Sequence, residues 1–418
     1  MLVFDTLAAI SDNLVVYLLS VFISGLFAIG INYYYVNRCI GGLVLLQIYV
    51  VFNTAIILFG WWLGAVSSFR VTHFLVYEFT AVAGIYWLYR KILGSRGVIL
   101  QRLQAANHTM VSMCLLLFNS VMCGLNLVFV PNNGGSRIEF MTASWFSFYR
   151  PLMAIMVPLG FFFSVYLLDR GKRLLPLLIL ASSVTSNILA GSKASFLYGI
   201  VCALLFYEDL KGARLAVSRT LRYVLIMGLS LSAVFALARL NASAADLAER
   251  FVRTAESTIM VYYSDDPTAA ASGVSTFAKI HRGAAKVLGD KSAADVDTLF
   301  GFALSRLHYG ANTFTGPNAQ LSSYMLCNYS GWDNLIGLAS ILGYLAIVAW
   351  FCNAVLYRRE TETVMLLPFA IVSLNSFSQD YYQGMSDVTV IGIAGLAFAW
   401  VSVMTFACRG ARSVRGTA

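Results

Sequence analysis

Apolar blocks of about twenty residues, separated by short polar turns, run through most of this chain, and that is the length a helix needs to cross the hydrocarbon of a bilayer. A chain built this way has few choices of fold. Its backbone polar groups must be satisfied inside each segment, which leaves helices as the spanning elements. Composition points the same way: 59% hydrophobic and 12% charged residues over 418 positions leave too little polar surface to wrap a soluble globule, because soluble chains carry roughly twice that charge. The expected fold is therefore all-α, a polytopic membrane helix bundle. Eleven spans are predicted, with ten to twelve as the range: 14–35, 43–66, 74–89, 110–130, 148–168, 174–190, 194–207, 223–238, 335–356, 364–382 and 388–406. The first twelve residues carry Asp5 and Asp12 and lack the basic n-region of a signal peptide, so the first span is expected to be retained.

Orientation follows from where Lys and Arg collect, since short cytoplasmic loops are enriched in them. One set of alternate loops holds Arg38, then Arg90, Lys91, Arg96 and Arg102, then Arg170, Lys172 and Arg173, then Lys211, Arg214, Arg219 and Arg222, then Arg358 and Arg359, and finally Arg409, Arg412 and Arg415. These seventeen bases face only five acids, whereas the opposite side has twelve bases and fourteen acids, so the first set is assigned to the cytoplasm. The formal charge of +9 is thereby explained as a topology signal, and nucleic acid is not an expected partner. The C-terminus is expected inside and, with eleven spans, the N-terminus outside. Seven cysteines sit mostly within apolar blocks without paired or metal-ligand spacing, so neither a disulfide framework nor a zinc site is expected.

The outside face carries one long segment, Arg239 to Asp333, between the eighth and ninth spans. It divides the chain into N-terminal spans (1–238), a long extracytoplasmic segment (239–334) and C-terminal spans with a tail (335–418). Its apolar residues recur at helical spacing in three groups: Leu247, Phe251 and Val252; Phe277, Ile280, Val287 and Leu288; and Leu299, Phe300, Ala303, Leu304 and Leu307. They predict three amphipathic helices that lie along the membrane or cap a cavity.

Polar groups at membrane depth are costly, which makes them functional candidates. Between Arg173 and Glu208 there are too few residues for two full spans, so the turn Gly191-Ser192-Lys193 should sit below the outer surface. Lys193 then either snorkels to the interface or, beside the helix start at Ser195, helps to form an anion site. Glu78, inside the third span, suits a hydrogen-bonded structural carboxyl better than a catalytic one. Outside, Arg137 and Arg150 flank the entry to the fifth span as interfacial anchors or as guanidinium forks for a diphosphate. Lys279, Arg282 and Lys286 make one basic helical stripe next to His281, either a solvated face or a ligand face. The run Arg306-Leu307-His308-Tyr309-Gly310, followed by Gly316-Pro317-Asn318-Ala319 and closed by Gly331-Trp332, is the outside stretch densest in chemically able groups. Imidazole is the side chain best matched to proton transfer near neutrality. Asp295-Val296-Asp297 has a metal-binding spacing but is one short acidic pair, and no metal site is assigned to it.

The basic-inside bundle, the short Gly-Ser-Lys turn opening Ala194–Phe206, the large outside segment late in the chain, and the Gly-Pro-Asn run before Gly331-Trp332 together resemble the Wzy-type O-antigen polymerases, within the wider O-antigen polymerase and ligase group. The resemblance covers roughly 185–400 and departs from the family's loop signature, an Arg and a Gly separated by ten residues: nine lie between Arg306 and Gly316. It implies a GT-C-like membrane glycosyltransferase of the bacterial inner membrane. Such an enzyme moves the growing glycan from undecaprenyl diphosphate onto an incoming lipid-linked repeat unit at the periplasmic face, alongside a chain-length regulator and a flippase. No cofactor is implied. The chemistry needs cations on the leaving oxygens and a base for the acceptor hydroxyl. On this resemblance Arg306, Arg282, Arg150, Arg137 and Lys193 hold diphosphate, His308 is the base, and exposed Tyr262, Tyr263, Tyr309, Asn318, Gln320 and Tyr324 hold glycan. The rival expectations are an O-antigen ligase, a lipid-linked oligosaccharide flippase or other transporter, and a membrane scaffold.

Overall fold

The computed structural model describes residues 2–36, 43–132, 144–189, 195–212, 252, 255–267, 300–309, 320–329, 331–358, 360–379, 384, 388–397 and 399–400. Every regular element among them is helical. In chain order these are α1 (Leu2–Asp12), α2 (Leu14–Val36), α3 (Leu43–Trp62), α4 (Ser68–Gly94), α5 (Arg96–Ala105), α6 (His108–Asn132), α7 (Ser144–Asp169), α8 (Leu174–Leu189), α9 (Ser195–Lys211), α10 (Glu256–Tyr262), α11 (Phe300–Tyr309), α12 (Leu321–Asn328), α13 (Asn334–Tyr357) and α14 (Leu367–Gln379). Short 3-10 turns precede α13 and α14, and a further helical stretch covers 388–397.

Helices thus stand where the apolar blocks predict them, the block at 223–238 lying outside the described residues. Four among the described residues are long and apolar enough to cross a membrane: Leu14–Ile31 in α2, all of α4, His108–Val128 in α6, and α13. Their exteriors are apolar: Val15 on α2 is 80% exposed and Leu117 on α6 is 69% exposed. Their polar residues, such as Ser20, Asn119 and Asn126, are buried instead. That inside-out distribution is what lipid selects, since hydrocarbon is a good solvent for leucine and a poor one for an amide.

A polar seam joins α6 to α8. The Asn119 amide donates to the Ser182 hydroxyl at 3.1 Å and to the Ser183 hydroxyl at 2.8 Å, and Asn126 donates to the Ser186 carbonyl at 3.1 Å. Gly160 on α7 leaves room for Ser183 to approach. At 1.5 Å per residue, the 16 residues of α8 and the 17 of α9 each reach only about 25 Å, short of the roughly 30 Å hydrocarbon core. This fits the short hairpin expected from sequence, although its turn at 190–194 lies outside the described residues.

The basic loops that fall among the described residues meet at one end of the bundle. Tyr89 donates to Asp209 at 2.6 Å, Arg102 to the Val355 carbonyl at 3.2 Å, and the Asn107 backbone to Glu362 at 3.2 Å. Asp169 at the end of α7 takes hydrogen bonds from Tyr207 and Lys211 at the end of α9. The opposite end gathers Arg70, α10, α12 and the start of α13.

Two stretches of the long segment outside the three predicted helices, α10 and α12, are inserted into the bundle, with every side chain from Ser257 to Tyr262 and from Leu321 to Cys327 buried. Their sequences explain why, because their buried faces are apolar apart from small hydroxyls and tyrosines, of which Thr258 and Tyr262 find partners inside. Of the three predicted amphipathic helices, the third is present as α11. Only Val252 of the first group falls among the described residues, and the second lies outside them.

Candidate functional site

The site is built on α10, which is too short to satisfy its own backbone. A seven-residue helix has more orphan groups at its ends than bonds within it, so its partners must come from elsewhere. Arg70, in the first turn of α4, closes the C-terminal end: Nη1 donates to the carbonyls of Tyr262 and Ser264, each at 2.7 Å, and Nη2 to that of Asp265 at 3.4 Å. A guanidinium is well suited to this, since its fork reaches several carbonyls and its charge complements the negative end of a helix.

Three side chains complete the docking of α10. Thr258 donates to the Asn53 side-chain oxygen on α3 at 2.6 Å, and Tyr263 donates to the Ile56 carbonyl at 2.7 Å. Gly60 makes the second contact possible, because a Cβ there would collide with the Tyr263 ring. The Tyr262 hydroxyl donates to the Ser322 carbonyl at 3.2 Å and lies 3.0 Å from His73 Nδ1.

Glu78 itself is 5% exposed and meets the buried start of α12, accepting from the Ser322 backbone N–H. The Ser322 hydroxyl faces the same carboxyl without completing a hydrogen bond, and Glu78 Oε1 has no partner among the described residues. The carboxyl expected to be hydrogen-bonded and structural is therefore only half engaged. The preceding residue, Tyr77, donates to the Asn334 side chain at 2.8 Å and ties the head of α13 to the same cluster.

On the other side of α10 sits α11, which carries the densest sequence motif. Tyr309 donates to Glu256, the first residue of α10, at 2.7 Å. His308 hydrogen-bonds the Met260 carbonyl, while its Nε2 is buried without a partner. That leaves Nδ1 as the donating nitrogen and Nε2 as the open lone pair. Burial lowers the imidazole from its ordinary value, outweighing the opposite effect of the Met260 carbonyl, so the ring stays neutral at pH 7.

Of the sequence-predicted residues, Arg306 and His308 share the last turn of α11. Two residues apart, they are about 200° apart around the axis and do not face one point directly. Arg150 stands in the second turn of α7. Lys193, Arg137, Arg282 and Asn318 lie outside the described residues, as do Lys279, His281, Lys286, Asp295 and Asp297. The aromatics and amides expected to be exposed to glycan are mostly not: Tyr262, Gln320 and Tyr324 are buried, and Tyr263 and Tyr309 are half-buried with their hydroxyls bonded within the protein. The cause is the insertion of α10 and α12. Among the described residues no group of three His, Cys, Asp or Glu side chains is placed to hold a metal ion.

Sequence reasoning did not single out Arg70, His73, Asn53 or Glu256. Arg70 and His73 stand three apart at the head of the third span, a polar edge on an apolar block, and that was the available signal. Comparison with protein-family models, with curated proteins and with solved structures finds no match for this chain.

Proposed function

We propose that the chain is an O-antigen or polysaccharide repeat-unit polymerase, a GT-C-like glycosyltransferase of the bacterial inner membrane acting on undecaprenyl-diphosphate-linked glycans. The observation that carries this reading is His308, a neutral-held imidazole with one nitrogen anchored on Met260 and the other buried without a partner, on a segment docked at the end of the bundle away from the basic loops. In the proposed reaction Nε2 takes the proton of an acceptor hydroxyl, whose oxygen bonds to the anomeric carbon of the growing glycan. The bond from that carbon to the diphosphate oxygen breaks, and undecaprenyl diphosphate departs. Arg306, Arg282, Arg150, Arg137 and Lys193 supply the positive charge that the leaving group requires. An O-antigen ligase would run the same chemistry on a lipid A core acceptor.

One observation favours a second reading. Short helices buried beside an acidic residue, as α10 and α12 are beside Glu78, also occur at the binding sites of secondary transporters, which supports a lipid-linked oligosaccharide flippase. The lipopolysaccharide of a deletion strain separates the three: a single repeat on the core indicates a polymerase, bare core with lipid-linked units in the periplasm a ligase, and no periplasmic lipid-linked unit a flippase.

A further inference from the structure

The imidazole of His308 is oriented through α10, because Met260 and Glu256, which hold His308 and Tyr309, both belong to that helix. What fixes α10 therefore fixes the imidazole. Thr258 and Tyr263 attach it to α3 along its side, but the end nearest Met260 is closed by one charged group, the Arg70 guanidinium, whose donors reach three successive stretches of backbone at Tyr262, Ser264 and Asp265. Met260 is two residues from Tyr262 and shares its helical turn.

We infer that Arg70 is a positioning residue for the His308 imidazole, acting through the C-terminal turn of α10. The inference rests on the reading of His308 as the proton acceptor for its effect on turnover, but not for its effect on the imidazole. Arg70 touches no reacting atom. It holds a rigid strut whose other face carries the base, and a displacement of about 1 Å at such a base is enough to cost on the order of 100-fold in rate. Arg70→Lys keeps the charge and loses the fork, so one ammonium must serve carbonyls that two guanidinium nitrogens now share.

The experiment follows the His308 resonance of full-length protein in detergent, labelled at its four histidines and assigned by its absence in His308→Gln. Arg70→Lys and Arg70→Gln should move the titration of His308 upward, toward the ordinary histidine value, as the loosened contact admits water. The N-terminal amine, whose charge also lowers His308, is unchanged in both variants, as are Glu256 on α10 and Arg306 on its own helix. In the polymerisation assay kcat should fall about 10- to 100-fold with KM for lipid-linked substrate little altered, and the acid limb of the rate profile should move up with the titration. The lysine variant should be milder than the glutamine variant. An unchanged titration in folded Arg70→Lys and Arg70→Gln overturns the inference whatever the activity. A shifted titration with full turnover leaves the positioning intact and removes His308 from the chemistry. If Arg70→Lys as well as Arg70→Gln fails to fold, Arg70 serves the whole bundle rather than α10, and the inference falls.

Discussion

Arg70 and Tyr262 lie 192 residues apart in the chain, and the guanidinium of the first donates to the backbone carbonyl of the second at 2.7 Å. The contact joins the head of a long apolar helix to a short helix from the long segment, at the edge of a buried cluster where unpaired carbonyls are expensive. It explains how a segment without a long span of its own among the described residues becomes part of the bundle. The partners that α10 cannot supply for itself come from α3, α4 and α12.

His308 should act as a base over a wider acidic range than an ordinary histidine. Its neutral form is favoured by burial, so the proton is taken up only below the usual value near 6.5. The acid limb of the rate profile should accordingly lie at lower pH than an ordinary histidine would give. His308→Gln keeps hydrogen bonding and cannot take up a proton, so it should lose activity strongly and flatten that acid limb. Initial rates with purified protein and lipid-linked repeat units from pH 5 to 8 decide the point, and a His308→Gln profile that keeps both height and shape would overturn the assignment.

Arg306 supplies the next test. Arg306→Lys preserves charge and loses the fork that grips two diphosphate oxygens, so a ligand role predicts a fall on the order of 100-fold in rate. Because Arg306 and His308 point about 200° apart on α11, the two cannot both meet substrate unless the diphosphate and the acceptor hydroxyl pass on different sides of the helix. The double variant should then lose about the product of the single losses. Wild-type turnover by Arg306→Lys would instead leave the residue as a packing arginine.

The long helices were legible because a twenty-residue apolar block without breakers favours a helix, and the ends of α2, α6, α7 and α13 fall within a few residues of the predicted limits. The basic loops were legible as one group because Lys and Arg collect in alternate loops, and those among the described residues meet through Tyr89, Arg102 and Asn107. What could not be read was the depth of α10 and α12. Glu-Ser-Thr-Ile-Met-Val-Tyr and Leu-Ser-Ser-Tyr-Met-Leu-Cys-Asn are too short to register as apolar blocks, and their burial depends on partners from residues 53 to 78 that no local pattern can announce. The same distance hid Met260 as the anchor of His308.

Glu78 separates stability from chemistry. Glu78→Leu removes the acceptor of the Ser322 N–H at the buried start of α12, and an orphaned buried donor costs about 1–3 kcal/mol. Glu78→Gln keeps an acceptor but brings two amide hydrogens to a place where Oε1 now has no partner, so it should be destabilising by a similar or smaller amount. Thermal unfolding in detergent reads both. A structural carboxyl predicts that polymer made by Glu78→Gln stays near the wild-type level once expression is matched. Loss of polymer from a folded, well-expressed Glu78→Gln would place the carboxyl in the reaction.

Sidedness underlies every assignment above, and the two polar ends of the bundle make it testable. The end with Arg90, Lys91, Arg102, Arg170, Lys211 and Arg358 carries the excess of bases and should face the cytoplasm, while Arg70, α10 and the start of α13 meet at the other. A reporter active only in the periplasm should therefore be active when fused near Ala270 and silent near Arg219. Paired cysteine labelling gives an independent reading. With the native cysteines replaced, Asp265→Cys should react with a membrane-impermeant maleimide in intact cells, whereas Lys172→Cys, exposed at the basic end, should react only after the membrane is opened. The reverse pattern in both assays would put His308 and Arg306 on the side where no periplasmic lipid-linked glycan is present, and the polymerase reading would fall together with its site.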